Sequence, residues 1–192
     1  MWCEHRFTPV VSAFRRTCCV SWIGSCLIQR MIHNHPKPLR NFDYVGMYYY
    51  SLTWCCDYRK PLFTQADRVD LVLTQLLRAC VETEFAIVAY CFMPDHVHQL
   101  VKGCSSAANG KRYIRLAKQY SGFYFKKAYG ERPFQRYGHD RFMRDDKDPR
   151  TIVRYILENP VRAGLVAKVE DYPFTGSQIH SVAEVIEWAY TF

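Results

Sequence analysis

The chain has 192 residues, 49% of them apolar, enough to bury one good core and short for two. Its nine cysteines include no CxxC and are odd in number, which excludes a disulfide framework and fits reduced, mostly buried thiols in a cytoplasmic protein. The formal charge is +8, and no segment reaches the ~18 unbroken apolar residues of a membrane span, so a membrane partner is excluded.

Residues 1–41 show no clear periodicity and break at His35-Pro36-Lys37-Pro38, so they read as an N-terminal extension, poorly ordered or the product of a start placed too early. Met31 is the candidate natural start, which the mass of the native N-terminus would settle. Cys18 to Ile28 resembles the apolar part of a secretion signal, but Trp22 and Ser25 interrupt it and no small-residue cleavage site follows.

From Tyr44 to Trp54 the aromatic run YVGMYYYSLTW predicts a strand with Tyr48, Tyr50, Leu52 and Trp54 on one face. Thr64, with Asp67 three positions on, is the expected cap of a helix whose Val69, Val72, Leu73, Leu76, Leu77 and Cys80 recur at helical spacing. Phe85–Phe92 and His96–Lys102 read as two strands of a hairpin turning at Met93-Pro94-Asp95. A Gly- and Ser-rich loop then leads into a basic aromatic helix over 111–128, and a short strand is expected around Arg141 to Arg144. Asp148-Pro149 starts a last helix and Asn159-Pro160 closes it. The order from 44 to 160 is βαββαβα, an α+β, ferredoxin-like arrangement with an antiparallel sheet, helices on one face and the other face free for a ligand.

Charge concentrates between residues 104 and 168, with 15 Lys or Arg against six Asp or Glu. Lys111, Arg112, Arg115, Lys118, Lys126 and Lys127 alternate there with Tyr113, Tyr120, Phe123, Tyr124 and Tyr129. Such a mixture suits phosphates and stacked bases, and equally a solvated cationic helix face.

Strand alternation projects His96 and His98 from one face, with Val97 and Gln99 on the other. Two imidazoles so placed can share one divalent metal, or can be bonded to solvent and backbone; Asp95 beside them is a further carboxylate or a turn residue. In TIVRYILENPV, over 151–161, Tyr155 and Asn159 are neighbours one helical turn apart on the flank of an apolar stripe. Tyr120 is a second helical tyrosine among basic residues, but its face reads as core. The remaining candidates His33, His35, His139 and His180 read as surface residues.

Taken together, MYYYSLT, the hairpin with Met93-Pro94-Asp95-His96-Val97-His98, the run Tyr155-Ile-Leu-Glu-Asn-Pro-Val-Arg-Ala-Gly-Leu165 and Asp171-Tyr-Pro-Phe174 resemble the REP-associated tyrosine transposases. These are single-tyrosine HUH endonucleases, and the resemblance covers about residues 42–178, with 179–192 left as a C-terminal helix or tail. It implies that His96 and His98 bind the metal, Mg²⁺ or Mn²⁺, that Asn159 completes its shell, and that Tyr155 is the nucleophile. It implies single-stranded or hairpin DNA as the partner, with Lys111, Arg112, Arg115, Lys118, Lys126 and Lys127 to hold it, and a monomer or homodimer as the working unit. Phe134-Gln135 departs from the Trp-Gln of many relatives at a packing or stacking position. The expected activity is nicking and rejoining of DNA through a 5′-phosphotyrosine. The alternatives are a catalytically silent nucleic-acid-binding protein and a phosphoesterase using His96, His98 and Asp95 on water.

Overall fold

In a computed structural model of the chain, the described residues are 43–135, 139–142 and 148–191, so the expectations for 1–41 lie outside them. The first strand, β1 (Tyr49–Cys55), alternates between buried and half-buried side chains along its length. Tyr50, Leu52 and Trp54 are buried, while Tyr49, Ser51, Thr53 and Cys55 are not. It starts later than the aromatic run suggests, because Tyr44 and Gly46 have φ of 62° and 128°, outside the range a strand accommodates.

The helix α1 (Ala66–Thr83) corrects the expected cap. Its N-cap is Gln65, with no side-chain capping bond, so Asp67 falls in the first turn and accepts instead from Tyr129 Oη at 2.8 Å. The hairpin is β2 (Phe85–Met93) and β3 (His96–Gly103), joined by Pro94-Asp95 alone. Asn109 caps the basic helix α2 (Gly110–Tyr129) by accepting from Arg112 N, and Gly130, at φ 77°, ends it. The short strand β4 (His139–Phe142) lies two residues earlier than expected.

Beyond it, Asp148 caps α3 (Pro149–Leu157) as its sequence predicts. Asn159-Pro160 does not stop the chain there. It opens a second short helix, α4 (Asn159–Arg162), because proline is tolerated in a first turn. A two-residue strand β5 (Thr175–Gly176) and the helix α5 (Val182–Tyr190) follow.

The five strands run in the order β4-β1-β3-β2-β5 with every pairing antiparallel, and the first four have the ferredoxin-like order. The α+β class and antiparallel sheet are as expected. Helices α1 and α2 share one face over a core that includes Tyr50, Leu52, Trp54, Phe63, Phe92 and Val97. The expectation of helices on one face holds for these two only. On the other face Val153, Ile156 and Leu157 of α3, with Val185 and Ala189 of α5, pack on Val88, Ala89, Cys91, Met93 and Leu100. That face is therefore covered on its β2 side and half-exposed along β1.

Phe134 fits the packing reading of its position. It is 8% exposed and lies 5.4 Å from the Trp54 ring and 5.8 Å from Phe63.

Candidate active site

The site is assembled by strand register. In the antiparallel pairing of β1 with β3, Thr53 stands opposite His98 and Cys55 opposite His96. All four project from the face that α3 partly covers, while Val97 and Gln99 point into the α1–α2 core, as the alternation predicts. Gln99 is fully buried there and accepts from Tyr113 Oη at 2.7 Å.

The two imidazoles meet at their outer nitrogens, Nε2 to Nε2 at 3.0 Å. Their inner nitrogens are engaged. His96 Nδ1 lies 2.6 Å from Asp95 Oδ1, and His98 Nδ1 lies 2.9 Å from Thr53 Oγ1. An ionised carboxylate only accepts, so His96 carries its proton on Nδ1 and, when neutral, turns a lone pair toward His98. Burial, then the neighbouring His96 and Arg162, push the His98 pKa down to about 3, which keeps that ring neutral at ordinary pH. Two lone pairs cannot face each other at this distance unaided; a proton or a cation must lie between them.

The donor set fits a small divalent ion. The 3.0 Å Nε2 separation is an ordinary hydrogen-bond length, and it is also the edge of an octahedron whose ligands stand ~2.1 Å from its centre. Partners on the far ring nitrogens are what orient metal-binding histidines. Among the described residues no three His, Cys, Asp or Glu side chains cluster closely enough to hold an ion by themselves. Two imidazoles would thus leave positions for phosphate and water, as a catalytic site requires.

Asp95 is fixed from its other side. Its Oδ2 receives Arg59 Nε at 2.8 Å, and Arg59 also donates to Cys55 Sγ at 2.9 Å. Burial alone would raise the Asp95 pKa, but the His96 hydrogen bond and the charges of His96 and Arg59 bring it below the usual carboxylate range. Arg59 sits in a one-turn 3-10 helix, Asp57–Arg59, in which Tyr58 and Arg59 both take positive φ, 52° and 56°. Backbone bonds from Cys56 N to Asp95 O and from Phe63 N to Pro94 O tie this turn to the hairpin.

Tyr155 approaches from α3. Its ring stands edge-on to His98 with centroids 5.9 Å apart, and the residue is 51% exposed. Asn159 is one turn on, as expected, but its Nδ2 donates to the carbonyls of Tyr155 and Ile156 at 3.0 and 3.4 Å. Among the described residues it makes no hydrogen bond to either imidazole. The end of α3 receives another donor as well: Arg162 gives a 2.6 Å bond to Tyr155 O, with its guanidinium 4.3 Å over the Tyr155 ring. Tyr120 lies elsewhere, its hydroxyl donating to Glu82 at 2.6 Å on the α1–α2 side.

The six basic residues of α2 are on that side too, across the sheet from the histidines. Lys111 and Lys118 place their ammonium groups 4.3 and 5.2 Å over the Tyr44 and Trp54 rings. Arg112, Arg115, Lys126 and Lys127 are exposed. Lys118, Phe123, Lys126 and Arg132 help line an open groove of about 430 Å³, with no carboxylate on its walls among the described residues.

Sequence reasoning missed Thr53, Arg59 and Arg162. Thr53 has the strand parity of a site residue, but only the pairing with β3 brings it to His98. Arg162 lies within the very run that carries the tyrosine, two helical turns on.

Similarity to known proteins takes in the strands and the tyrosine helix of this site. The family model described as IS200-like transposase matches residues 44–158. A Haemophilus influenzae protein that bears the name of a REP-associated tyrosine transposase is 29% identical over 157 residues, covering 76% of this chain and 88% of its own. A solved structure of a REP-associated tyrosine transposase bound to a REP hairpin superposes with a TM-score of 0.58 at 24% identity, over 72% of this chain and 81% of that one, a likeness of fold. The His96–His98 strand and the Tyr155 helix both fall within the matched residues, and the chain belongs to the IS200-like transposase family.

Proposed function

We propose that this transposase acts on single-stranded or hairpin DNA by attack of Tyr155 on a phosphodiester. The observation that carries this reading is the Tyr155 ring standing edge-on to His98, whose Nε2 converges with that of His96. The Tyr155 hydroxyl oxygen attacks phosphorus and gives up its proton. The bond to the 3′ oxygen breaks, and that oxygen leaves as a 3′-hydroxyl while the 5′ side stays bound as a phosphotyrosine. The energy of the bond is kept, so rejoining is the same exchange in reverse.

A free phenol titrates near ~10 and is a weak nucleophile at neutral pH, which is why the reaction needs charge beside it. Mg²⁺ or Mn²⁺ held by His96, His98 and the amide oxygen of Asn159 would supply Lewis-acid polarisation of the scissile phosphate. Asp95 holds His96 in the tautomer that offers Nε2, and the Thr53 hydroxyl, able to accept from Nδ1, orients the His98 ring beside it. Arg59 braces Asp95, and its commitment to that carboxylate argues against Asp95 as the base of a water-based phosphoesterase.

The named neighbour holds a hairpin, which supports hairpin DNA as the substrate here. The exposed cations of α2 supply backbone contacts from across the sheet. Histidines and tyrosine come from one chain, so a monomer suffices for the chemistry.

The test is adduct formation with labelled single-stranded hairpin DNA and Mn²⁺. A covalent protein–DNA species is expected from the parent and none from Tyr155→Phe. An adduct that survives this substitution overturns the assignment of the nucleophile. Free 5′-phosphate ends with Tyr155 dispensable point to water as the nucleophile, and salt-sensitive binding without cleavage in any metal points to a silent binder.

A further inference from the structure

Tyr155 is half-exposed, and an exposed tyrosine has several staggered wells open to it. Here its ring is bracketed, His98 at its edge and the Arg162 guanidinium over its face. The arginine is itself held at two points. One terminal nitrogen donates to Tyr155 O at 2.6 Å, the other to Glu158 Oε2 at 3.1 Å.

The bracing continues to the C-terminal helix. Glu158 Oε1 accepts from Tyr190 Oη at 2.7 Å, and the Tyr190 ring lies under the Arg154 guanidinium at 4.6 Å. Arg154 closes the circuit by donating to Ala189 O at 2.9 Å. Helices α3, α4 and α5 are thus joined around one carboxylate. The Arg162–Glu158 pair is 42% and 34% exposed, and a pair so wet contributes little to stability. What it does supply is direction, because a planar guanidinium bonded at both ends has one orientation available over the ring.

We infer that Arg162 is the positioning residue of Tyr155, and that Tyr190 sets Arg162 through Glu158. The C-terminal helix, outside the family-matched residues 44–158, thereby takes part in aiming the nucleophile at the imidazole pair. The inference rests on Tyr155 acting as proposed above. It gives a role to three side chains, Arg162, Glu158 and Tyr190.

The experiment uses the full chain, labelled hairpin DNA and Mn²⁺, and reads the single-turnover adduct rate at saturating DNA separately from DNA affinity. Arg162→Ala is expected to slow the adduct step about 100-fold, the cost of ~1 Å of misplacement, while Kd changes less than about threefold. Arg162→Lys, which keeps a cation but not the two-point hold, recovers part of the rate. Tyr190→Phe, which removes one hydroxyl and leaves the end of α3 capped, slows the parent about fivefold. It has no further effect in the Arg162→Ala background, since both act through one path.

A rate unchanged in Arg162→Ala, a loss explained by Kd, or a full Tyr190→Phe effect in that background overturns the inference. Should Arg162→Ala fail to fold, Arg162→Lys and Tyr190→Phe carry the test. Should the parent form no adduct, the proposed function falls. The geometry is then read from the ring resonances of Tyr155, assigned by their loss in Tyr155→Phe: a shift in Tyr190→Phe supports the bracing and an unmoved signal refutes it.

Discussion

On the α1–α2 face of the sheet, aromatic rings pack edge-on in the core, Trp54 with Phe134 at 5.4 Å and Phe63 with Phe92 at 5.1 Å. At the site on the α3 face, two imidazoles and a phenol are each bonded or stacked to a charged or polar partner. The same two strands furnish both sets. Tyr50, Leu52 and Trp54 of β1 pack while Thr53 and Cys55 face the site; Val97 and Gln99 of β3 pack while His96 and His98 do the reverse. Strand parity therefore divides stability from chemistry, one residue at a time.

That division can be broken by substitution. Trp54→Ala empties the largest fully buried position among the described residues and is expected to cost about 4 kcal/mol in denaturant unfolding. Tyr113→Phe strips Gln99 of the hydroxyl it accepts from inside the core, at about 1–2 kcal/mol by the same measurement. Tyr155→Phe is expected to move stability by no more than about 0.5 kcal/mol, although it removes all adduct. If its unfolding midpoint fell as far as that of Tyr113→Phe, the two faces would not be separable.

The smallest effect expected is one of pH. The Arg150 side chain and backbone hold the Asp148 carboxyl below its usual range. A depressed carboxyl contributes stability above its unfolded pKa, near ~4, and loses it as pH falls through the folded value. The thermal midpoint of the parent should thus drop more than that of Asp148→Asn between pH 5 and pH 3, pH values chosen to bracket ~4. Equal drops would remove this cap from the account of how α3 is held.

Local pattern made much of this visible and stopped where distance in sequence took over. The α1 stripe, the Asp148-Pro149 start and the side-by-side projection of His96 and His98 follow from periodicity within a few residues. The cap did not, since Thr64 has the right chemistry but the helix begins after Gln65. The strand start at Tyr49 was hidden by an aromatic run that continues through positive φ at Tyr44 and Gly46. Thr53 beside His98, and α2 across the sheet from it, depend on pairing between segments some 45 residues apart, about which neither segment carries a local signal. The covering of the second face by α5 depends on a segment beyond the βαββαβα unit altogether.

The cross-strand pairing of Thr53 with His98 and Cys55 with His96 also sets where this chain can tolerate length change. One residue inserted in the 104–108 loop would leave both histidines facing α3. One residue inserted between His96 and His98 would send one of them into the aromatic core, where Val97 now lies, and one slip of β1 would present Leu52 and Trp54 to the phosphate. Over these few residues the chain can drift in composition and still fold, but it cannot drift in count, so relatives that keep the chemistry are expected to show substitutions in this hairpin and no gaps.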